Sequence, residues 1–144
     1  MTDAWLFPEG VQAPLLRAIG FDAVLRFDPS AGSVEVRYIA RAEHTHSHGR
    51  IVQGGFVTAW LDSAMAFAAR ARDAQAGLAS LDVNVSFLQG VGQGPVVARA
   101  RVLRWGGRVA FLEAELFGAT SDGKADIPRG VLARATSTAM LRRS

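Results

Sequence analysis

Within the stretch IVQGGFVTAWLD, residues 51–62, two adjacent glycines, Gly54 and Gly55, precede a lone aspartate, Asp62. From Ile51 to Ala69 there are nineteen residues, and Asp62 is the only charged one. An unpaired carboxylate in such surroundings is costly. Its helical neighbours three and four residues away, Thr58, Ala59, Met65 and Ala66, cannot neutralise it. Either an arginine from elsewhere pairs with it, or the carboxylate acts as a general base or nucleophile.

Two glycines where a helix begins let another group approach the first free N–H groups, which with the helix dipole suit an oxyanion or a polarised carbonyl. Tight backbone packing is the alternative reason for them. Gly55 and Asp62 are seven residues apart, about 10 Å along a helix axis. One carbonyl cannot easily touch both. If both serve one reaction, they come from two copies of the chain with antiparallel helices, so this chemistry implies a dimer. Just upstream lie all three histidines, His44, His46 and His48. They are metal ligands, solvated loop residues, or groups that orient substrate or water beside Asp62. No Gly-x-Ser-x-Gly elbow is present, which argues against a serine-hydrolase triad.

The elements that must position these groups are legible. PLLRAIG (14–20) reads as a short helix opened by proline and closed by glycine. Residues 21–40 read as two strands around a Pro/Ser/Gly turn, and RAEHTHSHGR (41–50) as a polar loop. A buried helix is expected over about Gly55 to Arg72. In SLDVNVSFL (80–88), Leu81, Val83, Val85 and Phe87 alternate with Ser80, Asp82, Asn84 and Ser86, the pattern of a half-buried strand. Residues 95–105 and 109–117 form a hairpin. A three-residue loop, Gly106-Gly107-Arg108, pairs Arg99 with Glu115 and Arg101 with Glu113, which a two-residue Gly106-Gly107 loop would not. Residues 130–141 make a closing strand. The expected class is α+β: an antiparallel sheet wrapped around one long central helix, in a single domain over residues 1–144. The later strands lack the crossover helices that a parallel sheet needs.

Composition narrows the partners. The chain has no cysteine, which excludes disulfides, thiol catalysis and zinc–thiolate sites. Its first ten residues lack the basic-then-apolar run of a secretory signal, so a cytoplasmic location is expected. The apolar stretch is interrupted by Gln53, Gly54, Gly55, Thr58, Asp62 and Ser63 and reads as a core helix, not a membrane span. All but one of sixteen basic residues are arginine, scattered singly or in pairs, and net charge is only +3. No nucleic-acid motif appears. A solvated arginine-rich surface accounts for this, and a few of these arginines would suit a phosphate-bearing small ligand.

HSHGRIVQGGFVTAWLD followed by SLDVNVSFL resembles the hotdog-fold acyl-CoA thioesterases of the phenylacetic-acid-degradation type. Their pattern is Asn-x-x-Gly-x-x-His/Gln-Gly-Gly, then an acidic residue on the helix and a Ser/Thr opening the next strand. Gln53, Gly54, Gly55, Asp62 and Ser80 fall on those positions without gaps. The resemblance implies that Asp62 is base or nucleophile, and that the Gly54 amide, with or without Gly55, polarises the thioester carbonyl. It gives Ser80 the positioning of water or carboxylate, and Gln53 the place at the helix start. Ser80 also lies in phase with the polar residues of its strand, as a plain surface serine would. At the family's asparagine, ungapped counting places Ser47, aligning Gly49 places His46, and His48 lies close enough to substitute for either. No metal and no cofactor is implied. The partners implied are an acyl-CoA substrate and a second copy of the chain, with a dimer of dimers as a further expectation. A hotdog hydratase or dehydratase using His48 with Asp62, and a non-catalytic acyl-CoA-binding protein, are the alternatives. The helix-start signatures of carrier-protein dehydratases are absent, and retention of Asp62 argues against the binding protein.

Overall fold

The structure, a computed structural model, describes residues 13–143. A short helix α1 (Ala13–Ala18) leads into strands β1 (Phe21–Asp28) and β2 (Ser33–Ala40). Two-residue strands β3 (Thr45–His46) and β4 (Ile51–Val52) follow, then the long helix α2 (Gly54–Arg72). Strands β5 (Ala76–Phe87), β6 (Gly94–Trp105), β7 (Val109–Gly118) and β8 (Ala133–Arg143) complete the chain. Six strands form one antiparallel sheet in the order β1-β2-β6-β7-β8-β5, with α2 packed on its inner face. This is the sheet around a helix that the sequence predicts.

The core lies between the two. β2 alternates strictly, burying Val34, Val36, Tyr38 and Ala40, and β7 buries Ala110, Leu112, Ala114 and Leu116. α2 sets Val57, Trp60, Leu61, Ala64, Met65 and Ala68 against them. Trp60 lies fully buried, and its indole N–H donates to the Ile19 carbonyl at 2.6 Å, tying the α1–β1 corner to the helix. That corner turns at Gly20, whose φ is +83°. A Cβ there would overlap the Ile39 carbonyl oxygen, so only glycine fits.

The long helix is not buried all round. Thr58, Ala59, Asp62, Ser63, Ala66 and Arg70 form a half-exposed stripe at helical spacing. Asp62 therefore sits on the open side of the helix and not within the core. Among the described residues, no helix is long and apolar enough to cross a membrane.

Two strands differ from expectation by one residue each. The β6–β7 register does pair Arg99 with Glu115 and Arg101 with Glu113. Yet the loop is not the three-residue one: Gly106 N–H donates to the Val109 carbonyl at 2.9 Å, leaving Gly107-Arg108 as a two-residue turn. A bulge at Leu103, between Val102 and Arg104, restores the register. Arg101 reaches Glu113, whereas Arg99 lies 3.5 Å from Glu35 and Glu115 accepts from Arg134. These exposed pairs add little stability individually.

The second bulge lies in β5, between Ser80 and Asp82. It breaks the expected alternation at Leu81, which is 60% exposed, while Val83 and Val85 still pack against the core. Ser80 consequently pairs with buried Ala139 and turns towards α2.

Candidate active site

Gln53 caps the start of α2 in extended geometry, φ −66° and ψ 137°. Its carbonyl takes the Phe56 and Val57 N–H groups, and its Oε1 accepts from the Gly55 N–H at 2.7 Å. A Cβ on Gly55 would lie 2.7 Å from that same oxygen, so glycine here serves the cap. The Gly54 N–H is left: among the described residues nothing accepts from it. The Phe87 ring covers Gly54 so closely that an added Cβ would stand 3.2 Å from its tip. This amide borders a pocket of about 340 Å³ shared with Val52, Phe87, Leu88 and Val91.

Two turns along the helix, Asp62 accepts a hydrogen bond from Ser80 Oγ at 2.9 Å. Among the described residues no arginine or lysine pairs with it. Asp62 lines a second, mostly apolar pocket of about 350 Å³ with Ser63, Leu15, Leu16, Phe67 and Leu78. The two pockets share no lining residue. On one chain, the unpartnered amide and the carboxylate therefore open into different spaces.

The histidine loop splits by role. His44 is 1% exposed, not solvated. Its Nδ1 accepts from the Arg41 N–H at 3.0 Å, so Nε2 carries the proton and donates to the Ala18 carbonyl at 2.9 Å. Phe56 and Trp60 pack against the ring. His44→Ala should thus act on stability: a cavity and two unpaired backbone groups predict a loss of about 2–4 kcal/mol. Urea unfolding would register it as a lower midpoint at unchanged slope, and a wild-type midpoint would contradict it.

His46, Ser47 and His48 are exposed. His46 Nδ1 and Ser47 Oγ lie 2.8 Å apart, and Ser47, His48 and Gly49 follow one another in the left-handed region, with φ of 56°, 61° and 81°. Gln93 pins the turn by donating to the Gly49 carbonyl at 2.8 Å. Left-handed geometry in two non-glycine residues costs about 1–2 kcal/mol each. Among the described residues no hydrogen bond joins this loop to Asp62 or Ser80, and no three of His, Cys, Asp and Glu come together to hold a metal ion. The structure thus brings Asp62 to Ser80 and Gln53 to Gly55, and keeps His46, Ser47 and His48 apart from that carboxylate.

Sequence reasoning missed Tyr38, whose hydroxyl donates to Ser63 Oγ at 2.8 Å beside Asp62. Burial raises the phenol above its ordinary range, the Ser63 hydrogen bond opposes this, and the Asp62 charge adds to the rise. The signal was available: the chain's single tyrosine sits in the buried phase of β2, where its hydroxyl requires a partner.

Residues 49–123 match the family model described as the thioesterase superfamily. No curated protein matches the chain. Among solved structures, the phenylacetic acid degradation-related protein of Ralstonia eutropha JMP134 is 31% identical, over 95% of this chain and 96% of its own, with a TM-score of 0.76. An asparagine-to-aspartate mutant of the phenylacetic acid degradation protein PaaI from Thermus thermophilus is 30% identical, over 88% of this chain and 97% of its own, with a TM-score of 0.68. A thioesterase family protein from Silicibacter pomeroyi shares the fold at 22% identity, over 98% of each chain, with a TM-score of 0.76.

Proposed function

The chain belongs to the thioesterase superfamily as a hotdog-fold thioester hydrolase of the phenylacetic-acid-degradation type, and from that premise we propose that it cleaves acyl-CoA at sites shared by two copies of the chain. One observation carries the reading. Among the described residues the Gly54 N–H lacks an acceptor, and Asp62, held by Ser80, opens into a pocket that Gly54 does not border. A carbonyl cannot use both on one chain, but two antiparallel helices would bring the amide of one protomer to the carboxylate of the other.

In that site the Gly54 N–H polarises the thioester oxygen. The Gly55 N–H is occupied by Gln53, so Gly54 is the donor and Gln53 and Gly55 shape the helix start around it. As a base, Asp62 takes one proton from a water whose oxygen attacks the carbonyl carbon. The C–S bond breaks, and CoA leaves as its thiol with that proton, alongside the carboxylic acid. As a nucleophile, Asp62 instead displaces CoA to form an anhydride that water then opens. Ser80 holds Oδ1 in both cases, leaving Oδ2 to act. Among the described residues no histidine is hydrogen-bonded to the carboxylate, which favours hydrolysis over a His48–Asp62 hydration. Scattered arginines suit the CoA phosphates. The dimer finds support in β5, an edge strand whose Leu81 and Phe87, with Leu88 just after it, are all more than half exposed.

The test is release of free CoA thiol by the purified protein from a panel of short, long and aromatic acyl-CoAs. At least one class should turn over, and His46→Ala or His48→Ala should slow it, since the loop stands at the family's asparagine. No thiol release from any member would overturn the reading.

A further inference from the structure

Tyr38 is 0% exposed, stacked on Trp60 with its ring centroid 6.0 Å away and edge-on to Phe21. A buried phenol needs an acceptor for its proton. Among the described residues its one hydrogen-bond partner is Ser63 Oγ at 2.8 Å, so Tyr38 donates and Ser63 accepts. The serine's own proton must then go elsewhere. Serines inside helices usually return it to the carbonyl four residues back, as Thr58 does to Gly54 at 2.9 Å. Ser63 makes no such bond among the described residues, and it lines the same pocket as Asp62. Tyr38 thus fixes Ser63 as a donor aimed into that pocket. Arg70 also lines the pocket, and the other side chains around Ser63 are apolar, among them Leu15, Leu16, Ala59, Phe67 and Leu78.

A hydrocarbon acyl chain gives this donor nothing to meet. We propose that the pocket beside Asp62 selects acyl groups carrying a hydroxyl or keto oxygen close to the thioester, and that Ser63 is the specificity-determining residue that donates to it. This rests on the acyl-CoA hydrolase reading. Ser63 follows Asp62 directly on the helix, so an oxygen that meets Ser63 lies within a few atoms of the carbonyl under attack. Tyr38 is a positioning residue that acts through Ser63. An unsubstituted chain leaves the serine proton unpaired on binding, which is the physical source of discrimination.

The experiment compares matched pairs, octanoyl-CoA with 3-hydroxyoctanoyl-CoA and phenylacetyl-CoA with mandeloyl-CoA. Hydrolysis is followed with the wild-type protein, and dissociation constants are measured calorimetrically on Asp62→Asn, so that binding is read apart from turnover. The hydroxylated member should be preferred about tenfold in both kcat/KM and Kd, the scale of one hydrogen bond. Ser63→Ala should erase the preference, Ser63→Thr should keep it, and Tyr38→Phe should weaken it by freeing Ser63 to turn back to Ala59. Equal handling of both members by the wild type overturns the inference. So does an equal fall in kcat for both in Ser63→Ala, which would make Ser63 a holder of the attacking water. Discrimination in Kd without turnover of any member would uphold the pocket and sink the hydrolase reading. Binding of neither member would sink both.

Discussion

Asp62→Ala should lower kcat/KM for acyl-CoA hydrolysis on the order of 1,000-fold, the range of a lost general base. The fold should survive. Asp62 lies on the half-exposed stripe of α2, its partner is one serine, and among the described residues no cation depends on it. Its removal should leave the melting temperature within a few degrees of wild type or raise it slightly, since functional carboxylates in apolar settings are often held at the expense of stability. Ser80→Ala provides the graded companion. It leaves the carboxylate and removes the bond to Oδ1, so kcat should fall by less. Full activity in a folded Asp62→Ala protein would refute the assignment, and collapse of the fold would return Asp62 to a structural role.

The second large effect is expected at Gly54. Proline at this position removes the Gly54 N–H, which has no acceptor among the described residues, and loss of an oxyanion donor costs on the order of 100- to 1,000-fold in kcat. The site tolerates the change on backbone grounds. Gly54 opens the helix, where proline is favoured, and the preceding Gln53 already has the extended geometry that proline imposes. The new side-chain atoms meet the Phe87 ring, which is 57% exposed and can move. Gly54→Ala separates the two effects. It keeps the N–H while making the same contact with Phe87, so it should retain most of the activity that proline loses. Equal activity of the two variants, each measured on a folded dimer, would remove the Gly54 amide from the chemistry.

The central helix, the antiparallel sheet and the Gln53–Gly54–Gly55 helix start were legible because each has a local signature: an apolar run, alternation, and turn glycines. The two bulges had none. At Leu81 one extra residue exchanges the faces of the strand upstream of it, so a serine in polar phase becomes the partner of Asp62 and a leucine becomes exposed. At Leu103 a bulge reproduces the charge pairing that a longer loop would have given, so the right register follows from the wrong turn. Side-chain periodicity reports a face only while the ladder is regular. His44 was illegible for another reason. Its burial depends on the α1–β1 corner and on Trp60, both remote in sequence. Asp62 drew attention as an isolated charge in an apolar run, although the helix face it occupies is open and not core.

The most direct test of the two-chain site uses Asp62→Ala and Gly54→Pro together. Each homodimer should be nearly inactive. In a mixed dimer one site inherits both defects, while the other receives an intact Asp62 from one protomer and an intact Gly54 amide from its partner. With both variants verified as folded dimers, co-folding differently tagged chains and isolating the mixed species should restore up to one working site per dimer. That recovery of thioester hydrolysis, up to half the wild-type activity per dimer, is the predicted result; verified mixed dimers as inactive as their parents would contradict it.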